Sequence, residues 1–181
     1  MSIKLETPRL ILRPIEQSDD KAIYEYAKNP NVGPDAGWKP HESIEETREI
    51  MNTVFFKKEN TFGIVIKESG KFIGSIGLDK EPKRENDKAL MLGYAIGEDY
   101  WGCGYTSEAA LALIEYGFKT LGMELISAYC YPFNERSKSV IKKLGFKYEG
   151  KLSMCQKRFD GLVLDEECYA LSAEDYFRPR N

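Results

Sequence analysis

The sequence predicts an α/β fold built around a mixed, mostly antiparallel central sheet. Between residues 61 and 96, three strand-like segments follow one another across short polar turns, as in an antiparallel meander. After residue 90, strands and helices alternate, and a long apolar helix over Thr106–Thr120 would make its flanking strands parallel. Because 181 residues suit one domain of this kind, we expect a single domain over residues 1–181.

The first half of the chain is predicted to hold one strand, two helices and the meander. Arg9–Ile15 alternates in polarity, which favours a strand, and Asp19–Lys28 is predicted to be a short helix. The loop from residue 29 to 40 is rich in Pro, Gly and Asn. Ser43, with Glu46 three residues later, is typical of a capping box that begins a second helix. The predicted meander strands are Thr61–Lys67, Phe72–Asp79 and Leu90–Ile96.

The second half is predicted to alternate between helices and strands. The helix Thr106–Thr120 is apolar on most sides at its start, so it should be buried against the sheet. The charged run Lys80–Lys88 is interpreted as a solvated turn, and Glu68 and Asp79 as turn residues at strand ends. The remaining predicted elements are strand Leu125–Tyr131, helix Glu135–Leu144, strand Phe146–Lys151 and strand Leu162–Leu171.

Composition narrows the functional classes. A net charge of −3 argues against general nucleic-acid binding, which needs a basic surface, and is compatible with a cationic acceptor such as an amine. The cysteines Cys103, Cys130, Cys155 and Cys168 lack C-x-x-C spacing, and the lone His41 is far from them in sequence. We therefore expect no metal site.

The N-terminal residues and the hydropathy pattern suggest a location. Met1 to Glu6 contain no apolar segment, so no signal peptide is expected. No apolar run reaches the roughly 20 residues that a membrane-spanning helix requires. A cytoplasmic protein with reduced thiols and no membrane partner is therefore expected, and the sequence leaves open whether it is a monomer or a homodimer.

A glycine-rich turn, Tyr100–Thr106, lies between a predicted strand and a predicted helix. Gly102 and Gly104 permit unusual backbone conformations and let a ligand approach the main chain closely. The first N–H groups of the following helix have no partners within the helix, which suits a pyrophosphate. A tight turn with Thr106 as the helix N-cap is the simpler alternative. No Lys follows the second glycine and no third glycine is present, which disfavours a P-loop or a dinucleotide-binding motif.

A second segment of interest, Asn134–Phe146, follows the strand that ends at Tyr131. Helix capping explains it when it is taken alone. Asn134 is a favoured N-cap, Gly145 a favoured residue after a helix end, and Phe146 a plausible core residue.

Together, the two segments resemble the signature of the GCN5-related N-acetyltransferase superfamily. Tyr100–Thr106 resembles its pyrophosphate motif, and Asn134–Phe146 resembles its N-x-x-S/A segment with the Gly-Phe that follows it. Glu6–Arg13, Trp38–His41 and Gly104–Ala109 resemble the branch that acetylates the N-terminal alanine of ribosomal proteins. The resemblance covers nearly the whole chain.

This resemblance implies a sheet splayed between its fourth and fifth predicted strands, Leu90–Ile96 and Leu125–Tyr131, with helices on both faces. Acetyl-CoA would lie in that cleft as a co-substrate, with its pantetheine arm along the fourth strand and Asn134 bonded to the arm. The residues that the resemblance assigns to the cofactor are Tyr94, Ala95, Ile96, Trp101, Gly102, Cys103, Gly104, Tyr105, Thr106, Asn134 and Ser137.

Two positions depart from the wider superfamily. Asp99 stands where Gln or Arg is common, and Ile141 stands where a Tyr often protonates the departing thiolate. Ser137 is the predicted substitute for that acid, acting through position as much as through proton transfer. His41 is the candidate base because imidazole titrates near neutral pH, with an exposed or capping role as the simpler alternative. A main-chain N–H near Ala95 is the predicted donor to the thioester carbonyl.

The sequence therefore predicts an N-acetyltransferase. The acetyl group would pass directly to a primary amine, either a protein N-terminus or a small molecule, without a metal and without a covalent enzyme intermediate. One alternative is a catalytically silent module that binds acyl-CoA, because no clear base is present. A purely structural α/β domain is a further alternative. The acceptor stays open, since acceptor loops differ most within this superfamily.

Overall fold

One continuous sheet forms the centre of the molecule. The structure, a computed structural model, describes residues 3–179; Met1 and Ser2 of the predicted N-terminal segment lie outside this range. The strands of the described chain are β1 (Leu5–Glu6), β2 (Leu10–Pro14), β3 (Thr61–Ile66), β4 (Phe72–Lys80), β5 (Ala89–Ile96), β6 (Leu125–Cys130), β7 (Lys147–Lys157) and β8 (Val163–Ser172).

The strand order is β1-β2-β3-β4-β5-β6-β8-β7. Each neighbouring pair is antiparallel except β5 and β6, which run parallel. These two strands are joined through a helix, and such a crossover places consecutive strands parallel. The predicted mixed, mostly antiparallel sheet is confirmed.

Helices cover both faces of the sheet, as predicted. They are α1 (Asp20–Ala27), α2 (Ile44–Thr53), α3 (Tyr105–Lys119), α4 (Glu135–Lys143) and α5 (Ala173–Phe177). On one face, Ile23 of α1 and Met51 of α2 belong to the buried cluster around Phe72. On the opposite face, Leu113 of α3 belongs to the cluster that contains Ile76 of β4. Within residues 3–179, no helix is long and apolar enough to cross a membrane.

The long helix α3 lies unusually close to the sheet at Gly117. A Cβ at this position would lie 2.9 Å from the Leu78 side chain and 3.0 Å from that of Ile126. A larger residue would require these two side chains or the helix to shift, because a packed core has little spare volume. This close packing places α3 over β4 and β6, the two strands that flank β5.

The helix α2 begins at the predicted cap. The Ser43 hydroxyl accepts a hydrogen bond from the Glu46 N–H at 3.1 Å. The Glu46 carboxylate turns back to accept from the N–H of Glu42 at 2.5 Å, one residue before the cap. The capping prediction is therefore confirmed for Ser43, and the reciprocal bond is displaced by one residue.

Several element boundaries differ from the predictions. The short elements β1 and α5 were not predicted, because two and five residues carry too little periodicity. β7 continues to Lys157, six residues beyond the predicted end, since Lys157 pairs with Val163 of β8 in a long hairpin. α3 begins at Tyr105, with Gly104 in the N-cap position. The prediction that Thr106 caps this helix is wrong.

The connection between β4 and β5 is not the solvated turn that its charges suggested. Glu81 is only 4% exposed, and its carboxylate accepts hydrogen bonds from the hydroxyls of Tyr129, at 2.6 Å, and Ser127. Burial raises the pKa of Glu81, but these hydrogen bonds, together with one from the Lys83 N–H and the charge of Arg84, leave the pKa below its usual range. The connection thus links the end of β4 to β6.

Candidate active site

The sheet opens between β5 and β6. The two strands pair only from Ala89 to Met91 on β5 and from Leu125 to Ser127 on β6. Past these residues the ladder stops, while β4 still pairs with β5 as far as Ile96. The splay between the fourth and fifth predicted strands is therefore confirmed. It leaves one edge of β5 without a strand partner in the described chain.

Two hydrogen bonds establish which main-chain groups of β5 face this gap. The N–H of Gly97 donates to the Ile73 carbonyl of β4 at 2.9 Å, and the N–H of Glu124 donates to the Lys88 carbonyl on the opposite side at 2.9 Å. In a strand, the N–H and C=O of one residue point to the same side, and those of the next residue point to the opposite side. The main-chain groups of the odd-numbered residues of β5 therefore point toward β4, and those of the even-numbered residues point into the gap.

This alternation changes the predicted main-chain donor. Ala95 points its N–H toward β4, whereas Tyr94 and Ile96 point theirs into the gap. The Ile96 carbonyl also accepts a hydrogen bond from the Trp101 indole N–H at 3.0 Å. The donor predicted near Ala95 is therefore narrowed to Tyr94 or Ile96 and stays a prediction, and the side chain of Ala95 packs on the α1–α2 face.

A cavity of about 1160 Å³ occupies the opening and reaches both faces of the sheet. His41 lines this cavity together with most of the residues predicted to contact the cofactor, which are Tyr94, Ala95, Ile96, Trp101, Gly102, Thr106, Asn134 and Ser137. Cys103, Gly104 and Tyr105 do not line it. The structure therefore brings the two sequence segments to one place, although they are about thirty residues apart.

The glycine turn presents main-chain donors to the cavity. Gly102 and Gly104 adopt left-handed backbone conformations, with φ of 75° and 80°, which strain other residues. A Cβ at Gly102 would meet no atom within 4 Å, so the space before it is open. No side chain of the described residues caps α3. The first N–H groups of α3 are therefore available to an anion, and the helix dipole favours negative charge there.

The N-terminal segment braces this turn. The Arg9 guanidinium donates to the Cys103 carbonyl at 3.0 Å and pairs with the Glu108 carboxylate of α3 at 2.6 Å. The Thr7 hydroxyl donates to the same carboxylate at 2.6 Å, and the guanidinium lies 4.5 Å from the centre of the Tyr105 ring. Two segments that the family resemblance singled out, Glu6–Arg13 and Gly104–Ala109, are thus in direct contact.

The start of α4 is fastened to the loop between α1 and α2. The Asn134 side-chain oxygen accepts from the Ser137 N–H at 3.0 Å, which confirms the predicted cap. Its amide nitrogen donates to the Asp35 carbonyl at 3.2 Å. The Asp35 carboxylate pairs with Arg136 at 2.7 Å, and that guanidinium lies 3.7 Å from the Trp101 ring centre. These two bonds leave one amide N–H and one acceptor position of Asn134 for a pantetheine contact.

Ser137 has a hydroxyl partner that the sequence did not predict. The Tyr94 hydroxyl lies 2.9 Å from the Ser137 hydroxyl, across the gap between β5 and α4. Burial raises the pKa of Tyr94 to about 12, so this phenol stays protonated at neutral pH. Ile141 is buried and supplies no polar group. Two paired hydroxyls therefore stand in the region where the superfamily often uses a single Tyr.

His41 is buried, contrary to the simpler alternative of an exposed or capping residue. Its ring Nδ1 lies 2.9 Å from the Thr47 hydroxyl, and its main-chain N–H donates to the Ala27 carbonyl at 3.0 Å. Burial lowers the pKa of His41, which keeps the imidazole neutral at pH 7. The ring contacts residues of the α1–α2 face and makes no hydrogen bond to β5 or α4, so its role as base stays a prediction.

The splayed sheet and the cavity in its opening are the features that the family resemblance implied, and comparison with known proteins identifies the same family. The family model described as the acetyltransferase (GNAT) domain matches residues 9–147. Because the match covers well over half of the chain, the protein belongs to the GNAT acetyltransferase family. The family resemblance seen in the sequence is confirmed.

Related proteins of known sequence and structure extend over nearly the whole chain. The uncharacterized N-acetyltransferase p20 of Bacillus licheniformis is 31% identical over 176 residues, which cover 95% of this chain and 97% of the relative. The [ribosomal protein uS5]-alanine N-acetyltransferase of Escherichia coli is 29% identical, with 96% and 93% covered. The crystal structure of a GNAT acetyltransferase from Bacillus anthracis superposes with a TM-score of 0.84 at 27% identity, covering 95% and 99%.

Three features of the site were missed in the sequence. These are the pairing of Tyr94 with Ser137, the brace from Arg9 to the glycine turn, and the placement of Asp79 inside β4 rather than in a turn. Of these three features, only the position of Tyr94 had a signal in the sequence, because alternate residues of a strand lie on the same face of the sheet. The Tyr94–Ser137 contact joins residues separated by 43 positions, and the Arg9–Cys103 contact joins residues separated by 94 positions. Contacts over such separations produce no periodic pattern in the sequence.

Proposed function

We propose that the protein transfers an acetyl group from acetyl-CoA directly to a primary amine. The observation that carries this proposal is the common cavity at which three features meet. The turn at Gly102, the unpaired edge of β5 and the Tyr94–Ser137 hydroxyl pair all line it. Membership of the acetyltransferase family supports acetyl transfer in general, and these residues support acetyl-CoA as the donor.

The residues of the cavity fit the separate parts of coenzyme A. The amide groups of Gly102 and of the first turn of α3 suit the diphosphate, since both are free of side-chain caps. The gap-facing main-chain groups of Tyr94 and Leu92 suit the amides of a pantetheine arm, which would lie along β5 as an added strand does. When bound, acetyl-CoA would supply an activated thioester.

The chain's own groups then act at two atoms of that thioester. The gap-facing N–H of Tyr94 or Ile96 would donate to the carbonyl oxygen as negative charge develops on it. The Ser137 hydroxyl would donate to the departing sulfur, with the Tyr94 phenol as its partner. Because the pKa of Tyr94 is raised to about 12, its contribution is a hydrogen bond to Ser137 rather than a lost proton.

The amine must lose a proton to become the nucleophile. His41 is the candidate acceptor of that proton, since burial lowers the pKa of its imidazole and keeps it neutral at pH 7. It makes no hydrogen bond to β5, so it would act through water on the α1–α2 side of the cavity. The name of the Escherichia coli relative supports a protein N-terminus as one acceptor class, and small amines form the other.

Two measurements on the purified protein test the proposal. Calorimetric titration with CoA is expected to show binding, and thiol release from acetyl-CoA is expected to rise when amines are added. Binding without amine-dependent thiol release would instead identify a silent acyl-CoA-binding module. Failure to bind CoA at millimolar concentration would contradict the proposal outright and favour a purely structural domain.

A further inference from the structure

The cavity has a second part on the α1–α2 face, away from the glycine turn. Gly77 of β4 and Gly93 of β5 are direct neighbours in the sheet, and both line the cavity. Gly77 alternates with Ser75, whose hydroxyl lies 3.1 Å from the Tyr26 hydroxyl of α1, so both glycines look toward that face. A Cβ at Gly93 would meet no atom within 4 Å. A Cβ at Gly77 would instead lie 2.7 Å from the Thr61 hydroxyl. The floor is therefore bare at Gly93 and covered by this hydroxyl at Gly77, and we call this region the glycine slot.

The walls of the glycine slot are apolar. Ile50, Val54 and Phe55, from α2 and the turn after it, line the cavity above the floor. Thr61 of β3 lies beside Gly77, and its hydroxyl is buried without a hydrogen-bond partner among the described residues. This hydroxyl covers the floor at Gly77, so the slot is narrow. A narrow slot with apolar walls accommodates a methylene chain better than a branched or bulky group.

The far end of the glycine slot carries one charge of each sign. The Lys58 ammonium lies 2.7 Å from the Asp79 carboxylate, and the two side chains remain 37% and 22% exposed. Both residues line the cavity, and Asp79 lies two positions beyond Gly77 on the same face of β4. A ligand that ends in a single charge would satisfy one of them and oppose the other, whereas a zwitterionic end would satisfy both.

Sheet geometry gives the length of a suitable ligand. Neighbouring strands lie about 4.8 Å apart and residues two positions apart about 6.7 Å, so Asp79 is roughly 8 Å from Gly93. In lysine, six single bonds separate the side-chain amine from the α-ammonium, and an extended chain of that length spans about 7.5 Å. Lysine therefore matches the distance from Gly93 to Asp79, and side-chain reach supplies the small difference.

We propose that the acceptor is a free basic α-amino acid of lysine-like length, acetylated on its side-chain amine. This inference rests on the proposed function. The side-chain amine lies beside Gly93, the methylenes occupy the glycine slot, the α-ammonium meets Asp79 and the α-carboxylate meets Lys58. The amine nitrogen forms a bond to the acetyl carbon as the carbon–sulfur bond breaks. The amine gives up one proton, and the thiolate takes one.

A matched series of acceptors tests the assignment on the wild-type protein. Cadaverine is lysine without its carboxylate, and 6-aminohexanoate is lysine without its α-amine. We expect the kcat/KM for lysine to exceed that for each analogue by roughly tenfold or more, since a site built for a charged group rejects a ligand that lacks it. The product from lysine is expected to carry the acetyl group on the side-chain nitrogen, as mass spectrometry of its fragments would establish.

Two variants separate the roles of the charged residues. Asp79→Asn is expected to lower kcat/KM for lysine and cadaverine while sparing 6-aminohexanoate. Lys58→Gln is expected to do the reverse, lowering the values for lysine and 6-aminohexanoate and sparing cadaverine. Lys88→Gln, which removes an exposed ion pair with Glu124, is the matched control. If both slot variants lower all three values equally, the pair is only structural and the assignment is overturned.

Gly93→Val tests the glycine slot itself. The Cβ of the added side chain would enter open space, with no protein atom within 4 Å, so we expect the fold and CoA affinity to be retained while the KM for lysine rises. If the wild-type protein acetylates other amines, such as peptide N-termini, but not lysine, the acceptor assignment is overturned and the proposed function stands. Bound CoA with no turnover of any amine would overturn the proposed function and, with it, the assignment.

Discussion

The two ends of the cavity offer a ligand different chemical groups. At the glycine turn, Tyr100–Thr106, the available groups are main-chain amides fixed by two left-handed glycines and the start of α3. In the glycine slot, the distinguishing groups are side chains, above all Lys58 and Asp79, which come from separate elements. The turn suits a ligand that is common to a whole family, whereas the slot can change its ligand through single substitutions without altering the fold.

The largest effect is expected at the glycine turn. Gly102→Val should weaken CoA binding roughly a hundredfold, because a β-branched side chain would fill the space before the main-chain donors. Gly122→Val is a matched control. Gly122 also has a left-handed backbone, with φ of 68°, and open space at its Cβ, but it does not line the cavity.

Calorimetry and thermal melts would separate strain from ligand contact. Both glycine variants should lose similar stability, and only Gly102→Val should lose CoA affinity. Equal CoA affinity in the two variants would mean that the turn does not hold the diphosphate, and the contrast between the two ends of the cavity would disappear.

The next largest effect is expected at the hydroxyl pair. Ser137→Ala should lower kcat about tenfold to a hundredfold and leave CoA affinity nearly unchanged, because the hydroxyl assists the departing thiolate. Tyr94→Phe should lower kcat by a smaller factor, since Tyr94 acts through Ser137. Steady-state kinetics on the two single variants and the double variant would measure this coupling.

The double variant decides whether the hydroxyls act as one unit. If they do, it should be no slower than Ser137→Ala alone. Losses that multiply would show that Tyr94 acts independently of Ser137. Wild-type kcat in Ser137→Ala with several acyl donors would remove this serine from the mechanism.

A moderate effect is expected at the N-terminal brace. Arg9→Ala removes the donor to the Cys103 carbonyl and the ion pair with Glu108, so the turn should become less ordered. The Kd for CoA should rise about threefold to tenfold, in keeping with one charge-assisted hydrogen bond. Lys119→Ala breaks the Lys119–Glu115 pair of the same helix and should leave this Kd unchanged. Equal effects of the two variants would point to a general loss of α3 stability.

The smallest effect is expected at His41, on the acceptor side. Burial lowers the pKa of the folded protein's His41 below its usual value, so the unfolded chain binds the proton more readily. Stability is therefore complete above about pH 6.5 and is lost as the pH falls through that value toward the folded pKa. Melting temperatures between pH 5 and 8 should fall on the acid side in the wild type and vary less in His41→Gln.

The same variant bears on catalysis. If His41 accepts the amine proton, His41→Gln should lower kcat and remove the acid limb of the pH–rate profile. An unchanged profile would leave His41 as a buried structural residue that is bonded to Thr47. Acetyl transfer would then rely on water alone for the proton.

The predicted elements succeeded where local chemistry decides the structure. Ser43 and Asn134 cap helices as their side chains predict, because the bonded N–H groups lie only three residues away. The prediction for the charged run Lys80–Lys88 failed at Glu81, which is buried by partners on β6. A carboxylate looks solvated in any sequence window, and only distant hydroxyls make its burial tolerable.

The sequence by itself determined the class of the fold, the glycine turn and the family, since these follow from hydrophobic periodicity and from residues close together in the chain. The tertiary structure alone decided which edge of β5 is open and which of its amides face the gap. It also decided that Tyr94 meets Ser137, that Arg9 supports the turn, and that the open space at Gly93 shares a cavity with Lys58 and Asp79. Each of these depends on strand register and on contacts across the sheet, where residues distant in the chain become neighbours and no local pattern records the pairing.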